Sequence, residues 1–373
     1  MTLIPLRRLR PPPAAGPFSG PPLVDPQARA VKYLRVSLTD RCNFRCTYCM
    51  PEAGVEHVQR RELLTLEEVA LVVRAFAAWG VERVRLTGGE PTVRQGLVEL
   101  VAELSRIPVG SNPVENKPDR RLQVVMTTNG ARLQELAAPL FSAGLAGLTV
   151  SIDSLDPIRF REITRRGELS QVLAGLEAAT AAGFRDIKLN TVAVRGFNDD
   201  EVGPMATWAW ARGHVPRFIE LMPMSGGRLF VPGELLAAAD LRRAVAAHVG
   251  AALVPDAGEG LRGLGPATYW RVDDSVHAGP HSSPHAGQRL GVIAAMTENF
   301  CASCNRLRIS ATGQLHNCLA RDDTGDLRSV LRPYDPEALE SRVRAILGHK
   351  RPGHEFRIDG QGGPDKAMIS IGG

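Results

Sequence analysis

Short alternating apolar segments and longer segments of helical periodicity follow one another along the first 222 residues of this 373-residue chain. Residues 32–38 alternate as a strand does, and Thr65 and Glu68 then form a capping box before an apolar-periodic helix that ends at Gly80. Five more strand-like segments lie at residues 84–86, 122–126, 148–150, 186–194 and 217–221, and a helical segment follows each of the first four. The intervals are too long for hairpins, so the pattern predicts parallel strands joined by helical crossovers.

Six strand–helix units are too few for a closed eight-stranded barrel. We therefore expect an α/β fold in which residues 30–222 form a partial (β/α)6 TIM-like barrel. The active site of such barrels forms at the C-terminal ends of the strands, which is where the unusual residues of this sequence stand. Beyond residue 222 the rhythm stops. Strand-like segments at 268–273, 289–295 and 305–310 and a helix near 335–348 predict a smaller region, residues 223–373, packed against the barrel mouth.

Three segments lie outside this pattern. Residues 1–29 are rich in Pro, Gly, Ala and Arg and are predicted to be a disordered extension with no packed role. Residues 108–121 and 275–287 are interpreted as surface insertions. In the second, His277, His281 and His285 stand four apart, but the intervening glycine and prolines exclude a helix, so we expect a solvated loop instead of a metal site.

Composition narrows the classes of function. The chain has 45 Lys and Arg against 40 Asp and Glu, with no dense basic run, which does not favour nucleic-acid binding but is compatible with a small anionic substrate. No apolar stretch is long enough to span a bilayer, and none follows the N-terminal arginines as it would in a secretory signal. All six cysteines fall into two compact sets, which is typical of metal sites and indicates a reducing cytoplasm.

The first cysteine set is Cys42, Cys46 and Cys49, spaced C-x3-C-x2-C directly after the first strand. Three thiols in one short loop do not form paired disulfides, and zinc usually takes four ligands from two separated pairs. A 4Fe–4S cluster held by three thiolates leaves one iron without a protein ligand, and that iron can bind a small molecule. The spacing favours such a reactive cluster over a zinc knuckle with one ligand from elsewhere, which is the alternative.

The second set, Cys301, Cys304 and Cys318, again has three thiols. His316 could complete a Cys3His zinc site, which stays the alternative to a second cluster with an open iron. Arg306 and Arg308 alternate on the strand after Cys304, and two arginines on one strand face beside a cluster would suit a polyanion such as a nucleoside triphosphate. Either arginine alone would be interpreted as a solvated surface charge.

These motifs together resemble a known family. The first cysteine set, with Tyr48 before its last cysteine, resembles the cluster loop of the radical S-adenosylmethionine (radical SAM) superfamily, and Gly88-Gly89-Glu90-Pro91 resembles that superfamily's loop for the methionine amino group. The resemblance narrows to the GTP 3′,8-cyclase family (molybdenum cofactor biosynthesis protein A), and it runs from about Val31 to the C-terminus. It rests on Thr39-Asp40-Arg41-Cys42, residues 86–91, Thr127-Thr128-Asn129-Gly130, the second cysteine set and the terminal Gly372-Gly373.

The resemblance implies a lyase that converts GTP to (8S)-3′,8-cyclo-7,8-dihydroguanosine 5′-triphosphate, using S-adenosylmethionine and two 4Fe–4S clusters. A 5′-deoxyadenosyl radical made at the first cluster would remove the 3′ hydrogen of GTP, and C3′ would close onto C8, with the guanine edge held at the second cluster. The implied S-adenosylmethionine contacts are Tyr48, Gly89, Ser151 and Met222. The implied GTP contacts are Arg35, Arg85, Thr127, Lys188, Arg217, Arg306, Leu307 and Arg308. Catalytic roles are implied for Arg306, Arg308, Gly372 and Gly373.

The partners that the resemblance implies are GTP, an electron donor of the reductase or ferredoxin/flavodoxin type, and cyclic pyranopterin monophosphate synthase as the next enzyme. It also allows a homodimer, and neither nucleic acid nor a membrane is expected as a partner. Four cations favour an anionic ligand such as GTP independently of the resemblance. They lie in predicted barrel strands, where an unpaired charge is costly. These cations are Arg35, Arg85, Lys188 and Arg217. Internal salt bridges, for example to Glu220 or Asp153, are the alternative to a triphosphate.

Two competing functions stay open on the sequence alone. A radical SAM peptide maturase with an auxiliary cluster would typically carry more cysteines in its C-terminal region. An iron–sulfur electron carrier or a zinc-structured binding module would need neither an open iron, nor a barrel of this size, nor a Gly-Gly-Glu-Pro loop. The terminal glycines have alternatives too, a frayed end or the diglycine of sulfur carriers, but sulfur carriers are small ubiquitin-like domains unlike this chain.

Overall fold

The computed structural model describes residues 20–109, 120–225, 230–256, 265–273 and 283–372. The strands are β1 (Tyr33–Ser37), β2 (Arg83–Thr87), β3 (Gln123–Thr128), β4 (Gly147–Ser151), β5 (Lys188–Ala193), β6 (Val215–Glu220), β7 (Leu253–Pro255), β8 (Thr268–Val272), β9 (Arg289–Ile293), β10 (Arg306–Ile309), β11 (Gln314–His316) and β12 (Thr324–Asp326). The helices are α1 (Leu66–Ala78), α2 (Leu97–Leu104), α3 (Leu133–Ser142), α4 (Pro157–Thr164), α5 (Leu169–Ala182), α6 (Val202–Trp210), α7 (Ala238–Val249), α8 (Arg328–Leu331) and α9 (Pro336–Leu347).

The twelve strands within these described ranges form one open sheet, in the order β12-β11-β10-β1-β2-β3-β4-β5-β6-β9-β8-β7. Strands β1 to β6 are neighbours in chain order and run parallel, with one or two helices between consecutive strands. The predicted α/β fold with a partial six-unit barrel is therefore confirmed. The domain boundary at residue 222 stays a prediction, and strands from both sides of it share this sheet.

The C-terminal region extends the barrel sheet at both edges. Strand β10 pairs in parallel with β1, so that Arg308 stands beside Arg35, and β9 pairs in parallel with β6. The antiparallel strands β11 and β12 follow β10 on one side, and β8 and β7 follow β9 on the other. The sequence predicted only a region packed against the mouth. The structure differs because the edge strands of a partial barrel have backbone groups to satisfy, and C-terminal strands satisfy them.

Strand alternation separates the core from the barrel interior. On β1, Leu34 and Val36 are buried in the hydrophobic core that helices α1 to α5 form with the sheet, whereas Arg35 faces inward. A second core lies between β6, β8, β9 and the helices α6 and α7. The predicted capping box is confirmed, since Thr65 accepts from the Glu68 N–H and the Glu68 carboxylate accepts from the Thr65 N–H. None of the helices in the described part of the chain is long and apolar enough to cross a membrane.

Residues 20–29 differ from the predicted disordered extension. Leu23 is fully buried, and its N–H donates to the Trp79 carbonyl at 2.9 Å. The Asp25 carboxylate accepts from Arg29 Nε at 2.6 Å, and Arg29 also donates to the Cys301 carbonyl at 2.6 Å. A buried leucine and the bonds of one arginine hold this segment against the barrel, and composition alone does not reveal them. Residues 1–19, and 110–119 and 274–282 of the predicted insertions with His277 and His281, lie outside the described residues.

Candidate active site

The first cysteine set occupies the loop between β1 and the helices. The ring of Phe44 is buried against that of Phe160 on α4, with centroids 6.1 Å apart. The Thr47 N–H donates to the Ile163 carbonyl at 2.9 Å at the end of the same helix. The loop is thereby held between a strand end and a helix end, with its three thiols facing a chamber at the barrel mouth.

All six cysteines are free thiols in surroundings that suit iron–sulfur ligation. Burial raises the pKa of Cys42 to about 11 and that of Cys49 to about 12, so these thiols stay protonated at neutral pH unless a cation binds them. Backbone N–H groups nevertheless point at the sulfurs: Phe44 N lies 3.3 Å from Cys42 Sγ, and Ala320 N lies 3.4 Å from Cys318 Sγ. Donors of this kind favour the thiolate form that holds a cluster.

The zinc alternatives need a fourth ligand beside three thiols. The described residues contain no group of three or more His, Cys, Asp or Glu side chains that could hold a single metal ion. His316, the predicted fourth zinc ligand, is buried on β11, where its Nδ1 lies 3.3 Å from Lys366 Nζ. A 4Fe–4S cluster places each thiolate on a different iron, so its ligands need not converge on one point. Both sets of three thiols are compatible with clusters of this kind.

Gly88 and Gly89 bring the second loop, after β2, directly onto the cysteine loop. A Cβ atom on Gly89 would lie 2.4 Å from the Arg41 carbonyl oxygen, and one on Gly88 would lie 2.8 Å from that of Thr39. The Gly89 N–H donates to the Thr39 carbonyl at 2.7 Å. Only glycine allows this close approach of two backbones, so the Gly-Gly pair braces the cysteine loop.

Glu90 ties the loop after β2 to the loop after β3. Its buried carboxylate accepts from Thr92 Oγ1 at 2.6 Å, from Thr128 Oγ1 at 2.7 Å and from the Asn129 N–H at 2.7 Å. Burial raises the pKa of Glu90. Asn129 in turn donates to the Asn43 side chain at 2.7 Å, which connects the loop after β3 to the first cysteine set.

Both cysteine sets line one chamber, which holds about 1750 Å³ of space not filled by protein atoms, its open mouth included. The fold thus brings together two motifs that are more than 250 residues apart in the chain. The lining also contains predicted S-adenosylmethionine contacts and predicted GTP contacts. These are Tyr48, Gly89, Ser151 and Met222 for the first, and Arg35, Thr127, Arg306 and Arg308 for the second.

Arg85, Lys188 and Arg217 lie in the barrel interior beside the chamber lining. Arg85 Nη1 donates to Thr127 Oγ1 and Thr149 Oγ1, both at 2.9 Å. Arg217 donates to Thr149 Oγ1 at 3.1 Å and to the Asn190 side chain at 2.9 Å. Burial, with Arg217 and Arg85 adding to it, lowers the pKa of Lys188 to about 8. Neutral partners leave this positive charge uncompensated, which favours an anionic ligand.

The alternative of salt bridges from Arg85 and Arg217 to Glu220 or Asp153 is wrong. Glu220 accepts from the N–H groups of Ala238, Met296 and Thr297 at 2.8, 2.6 and 3.0 Å. Asp153 accepts from Tyr48 Oη at 2.7 Å and from the Val192 N–H at 2.8 Å. Both carboxylates are therefore engaged by other groups.

Leu307 is placed differently from the other predicted GTP contacts. Its side chain is fully buried in the hydrophobic core, because it alternates on β10 with Arg306 and Arg308, which face the chamber. Any contact of Leu307 with a ligand would have to come from its backbone.

The C-terminal tail enters the site between the two cysteine sets. Met368 lines the chamber, and Arg308 Nη1 donates to the Gly372 carbonyl at 2.9 Å. A Cβ atom on Gly372 would lie 2.2 Å from Thr87 Oγ1, so the chain passes close to the end of β2. Gly373 lies outside the described residues.

Several chamber residues were missed as site residues at the sequence level. Asp153 lines the chamber two residues after Ser151, and its bond from Tyr48 fixes the predicted cofactor tyrosine. Burial raises the pKa of Asp153 to about 6. Asn190 also lines the chamber, and the inward alternation of Lys188 on β5 was the signal that could have found it. Phe300 and His354 line the chamber near the second set, and no local pattern marks them.

The chain matches two family models, the Radical SAM superfamily over residues 36–209 and Molybdenum Cofactor Synthesis C over residues 215–356. The GTP 3′,8-cyclase of Rhizobium meliloti (strain 1021) is 42% identical over 339 residues, which cover 91% of this chain and 90% of that protein. The GTP 3′,8-cyclase 1 of Pseudomonas aeruginosa (strain PAO1) is 43% identical over 341 residues, covering 91% and 95%. Among solved structures, Streptococcus suis SuiB bound to S-adenosylmethionine aligns with a TM-score of 0.46 and 15% identity, over 58% of this chain and 47% of that one. Since more than 40% identity extends over about nine tenths of both sequences, this chain belongs to the GTP 3′,8-cyclase family of radical SAM proteins.

Proposed function

We propose that this chain is a GTP 3′,8-cyclase, a lyase that converts GTP to (8S)-3′,8-cyclo-7,8-dihydroguanosine 5′-triphosphate in the first step of molybdenum cofactor biosynthesis. The observation that carries the proposal is that both sets of three cysteines line one chamber together with Arg35, Arg306 and Arg308. A reactive cluster, a binding cluster and a cationic surface for a triphosphate would then share a single space.

On one side of the chamber, Cys42, Cys46 and Cys49 would hold the first 4Fe–4S cluster. Bound with S-adenosylmethionine, this cluster supplies the one-electron cleavage that yields the radical for removal of the 3′ hydrogen. Tyr48, Gly89, Ser151 and Met222 would contact S-adenosylmethionine. Asp153 orients Tyr48 through the bond at 2.7 Å, and the Gly88–Gly89 segment keeps the cysteine loop in place.

On the other side, Cys301, Cys304 and Cys318 would hold the second 4Fe–4S cluster and present its open iron to the guanine edge. The triphosphate would be bound by cations that have neutral partners in the barrel, which supports a polyanion over an uncharged ligand. The proposed GTP contacts are Arg35, Arg85, Thr127, Lys188, Arg217, Arg306, Leu307 through its backbone, and Arg308.

The tail would complete the site. Arg308 binds the Gly372 carbonyl and Met368 lines the chamber that holds both cysteine sets, so the tail reaches the space between them. We assign catalytic roles to Arg306, Arg308, Gly372 and Gly373, because the arginines and Gly372 lie where substrate and radical would meet.

The partners proposed with this function are a reductase or a ferredoxin/flavodoxin-type donor for the electron, and cyclic pyranopterin monophosphate synthase for the product. Six free cysteines support a reducing compartment, the cytoplasm. A homodimer stays a prediction.

Anaerobic reconstitution with iron and sulfide, followed by S-adenosylmethionine, a reductant and GTP, tests the proposal. We expect about eight irons per chain, with 5′-deoxyadenosine and a cyclised nucleotide detected by mass spectrometry. Turnover with ATP or with a peptide, but not with GTP, would reject the cyclase in favour of another radical enzyme. Zinc without iron would reject the whole class.

A further inference from the structure

The two cysteine sets have opposite electrostatic surroundings. Around the first set, the buried carboxylates of Glu90 and Asp153 line the chamber together with Cys42 and Cys46. Around the second set, Arg306 Nη2 lies 3.6 Å from Cys304 Sγ, and the ammonium of Lys350 approaches the same sulfur. One set thus faces negative charge, and the other faces positive charge.

Lys350 contributes to this difference without being a chamber residue. Its ammonium lies 3.9 Å from Cys304 Sγ and donates to the Arg306 carbonyl at 2.6 Å. The side chain is buried, with a relative exposure of 5%. Lys350 therefore approaches the second set from behind, whereas Arg306 and Arg308 line the chamber in front.

The segment that carries Lys350 is fixed in place. It follows α9, and Arg29 donates to the carbonyls of Arg351 and Pro352 at 3.0 and 3.1 Å while also donating to the Cys301 carbonyl at 2.6 Å. Asp25, the carboxylate that acts on Lys350, is engaged by Arg29 at 2.6 Å. The backbone contacts of this segment therefore hold the ammonium beside Cys304.

We propose that Lys350 is a positioning residue that makes the second cluster easier to reduce. The inference rests on the second cluster of the proposed function. Each cluster accepts one electron in passing from the 2+ to the 1+ state, and a nearby fixed positive charge stabilises the reduced state. A unit charge about 6 Å away, at an effective permittivity of about 20, shifts such an equilibrium by roughly one to two powers of ten.

The opposite charges around the two sets suit the two proposed tasks. The first cluster has to be a strong reductant, and carboxylates nearby make its reduced state a better electron donor. The second cluster has to bind an electron-rich purine edge, and cations nearby make its open iron a better acceptor. Lys350 acts through Cys304 and the cluster, so it needs no contact with GTP.

A potentiometric titration followed by electron paramagnetic resonance tests the proposal. The full chain carrying Cys42→Ala, Cys46→Ala and Cys49→Ala retains only the second set, and dithionite, which is oxidised to sulfite, supplies the electron. Lys350→Met should lower the reduction equilibrium constant at least about tenfold, which is about 59 mV for a one-electron couple. In two control variants the reduction potential should stay close to that of the parent. Lys350→Arg keeps the charge, and Arg195→Met removes a half-exposed cation that is paired with Asp240.

Each outcome decides the question. A potential in Lys350→Met equal to the parent's, with iron retained, would overturn the role of Lys350 while leaving the second cluster in place. Loss of iron in Lys350→Met would also overturn the proposal, because Lys350 would then be needed to hold the cluster and not to set its potential. Wild-type protein with only about four irons per chain would reject the second cluster itself, and the inference with it.

Discussion

Replacing Gly372 by alanine tests the place of the tail in the site. Gly372 has a φ of +72°, and a Cβ there would lie 2.2 Å from Thr87 Oγ1 and 3.1 Å from Ser37 Cβ. The left-handed backbone costs alanine about 1 kcal/mol. Moving the tail away to relieve the contact breaks the bond from Arg308 to the Gly372 carbonyl, a charge-assisted bond of about 2 kcal/mol. A total of about 3 kcal/mol corresponds to a loss of roughly two powers of ten in kcat/KM for GTP.

The assay measures 5′-deoxyadenosine and cyclised nucleotide under anaerobic conditions with saturating S-adenosylmethionine, beside iron content and melting temperature. Gly250→Ala is the matched control, because Gly250 has a φ of +64° and no described atom lies within 4 Å of its added Cβ. That variant should lose about 1 kcal/mol of stability and no GTP turnover. Adding Thr87→Ala to Gly372→Ala should restore part of the activity. If Gly372→Ala and Gly250→Ala turned over GTP equally, the assignment of the tail would be refuted.

Three further outcomes are expected. Burial alone would raise the pKa of Tyr33, but Arg85 and Arg35 outweigh it and lower the pKa to about 8. An ultraviolet titration should therefore show a phenolate signal that Tyr33→Phe removes. Binding of GTP should shift the midpoint of that signal to higher pH. Because this folded pKa lies below the unfolded value of about 10, wild type should gain free energy of unfolding over Tyr33→Phe as pH rises from 8 to 10, and lose that gain as pH falls through 8. Gly89→Ala should lose the first cluster and about half the iron, since its Cβ meets the Arg41 carbonyl, whereas Gly196→Ala should keep all of it. Deleting Gly372 and Gly373 should spare iron content and S-adenosylmethionine binding but abolish GTP turnover; normal turnover in that variant would contradict the tail's role.

The local alternation of residues along the chain was sufficient to predict the strands whose side chains point alternately to the core and to the barrel interior. Strands β1 to β6 lie where the sequence predicted them, because the apolar side of each is buried by the helices of its own unit. The three-residue strands β7, β11 and β12 were missed, since so short a segment takes its conformation from the strand beside it. The parallel pairing of β10 with β1 was also missed. It joins residues about 270 apart, and the sequence of a strand does not indicate which distant strand it pairs with.

The sequence also does not reveal which charged side chains pair with each other, and that pairing determines the charge of the ligand that the chamber can bind. The sequence shows that Arg85 and Arg217 need partners, but only the fold reveals that Glu220 and Asp153 are bound to other groups. Cations occupy the middle of neighbouring strands, where Arg35 stands between Arg85 and Arg308, whereas the carboxylates of Glu90 and Asp153 stand in the loops after the strands. Because the cations and the carboxylates lie in different parts of the chamber, its two proposed ligands are distinguished by their charge. The sulfonium of S-adenosylmethionine is favoured at the carboxylate-bearing end beside the first cysteine set, and the triphosphate is favoured among the arginines, which leaves the reacting ribose between them.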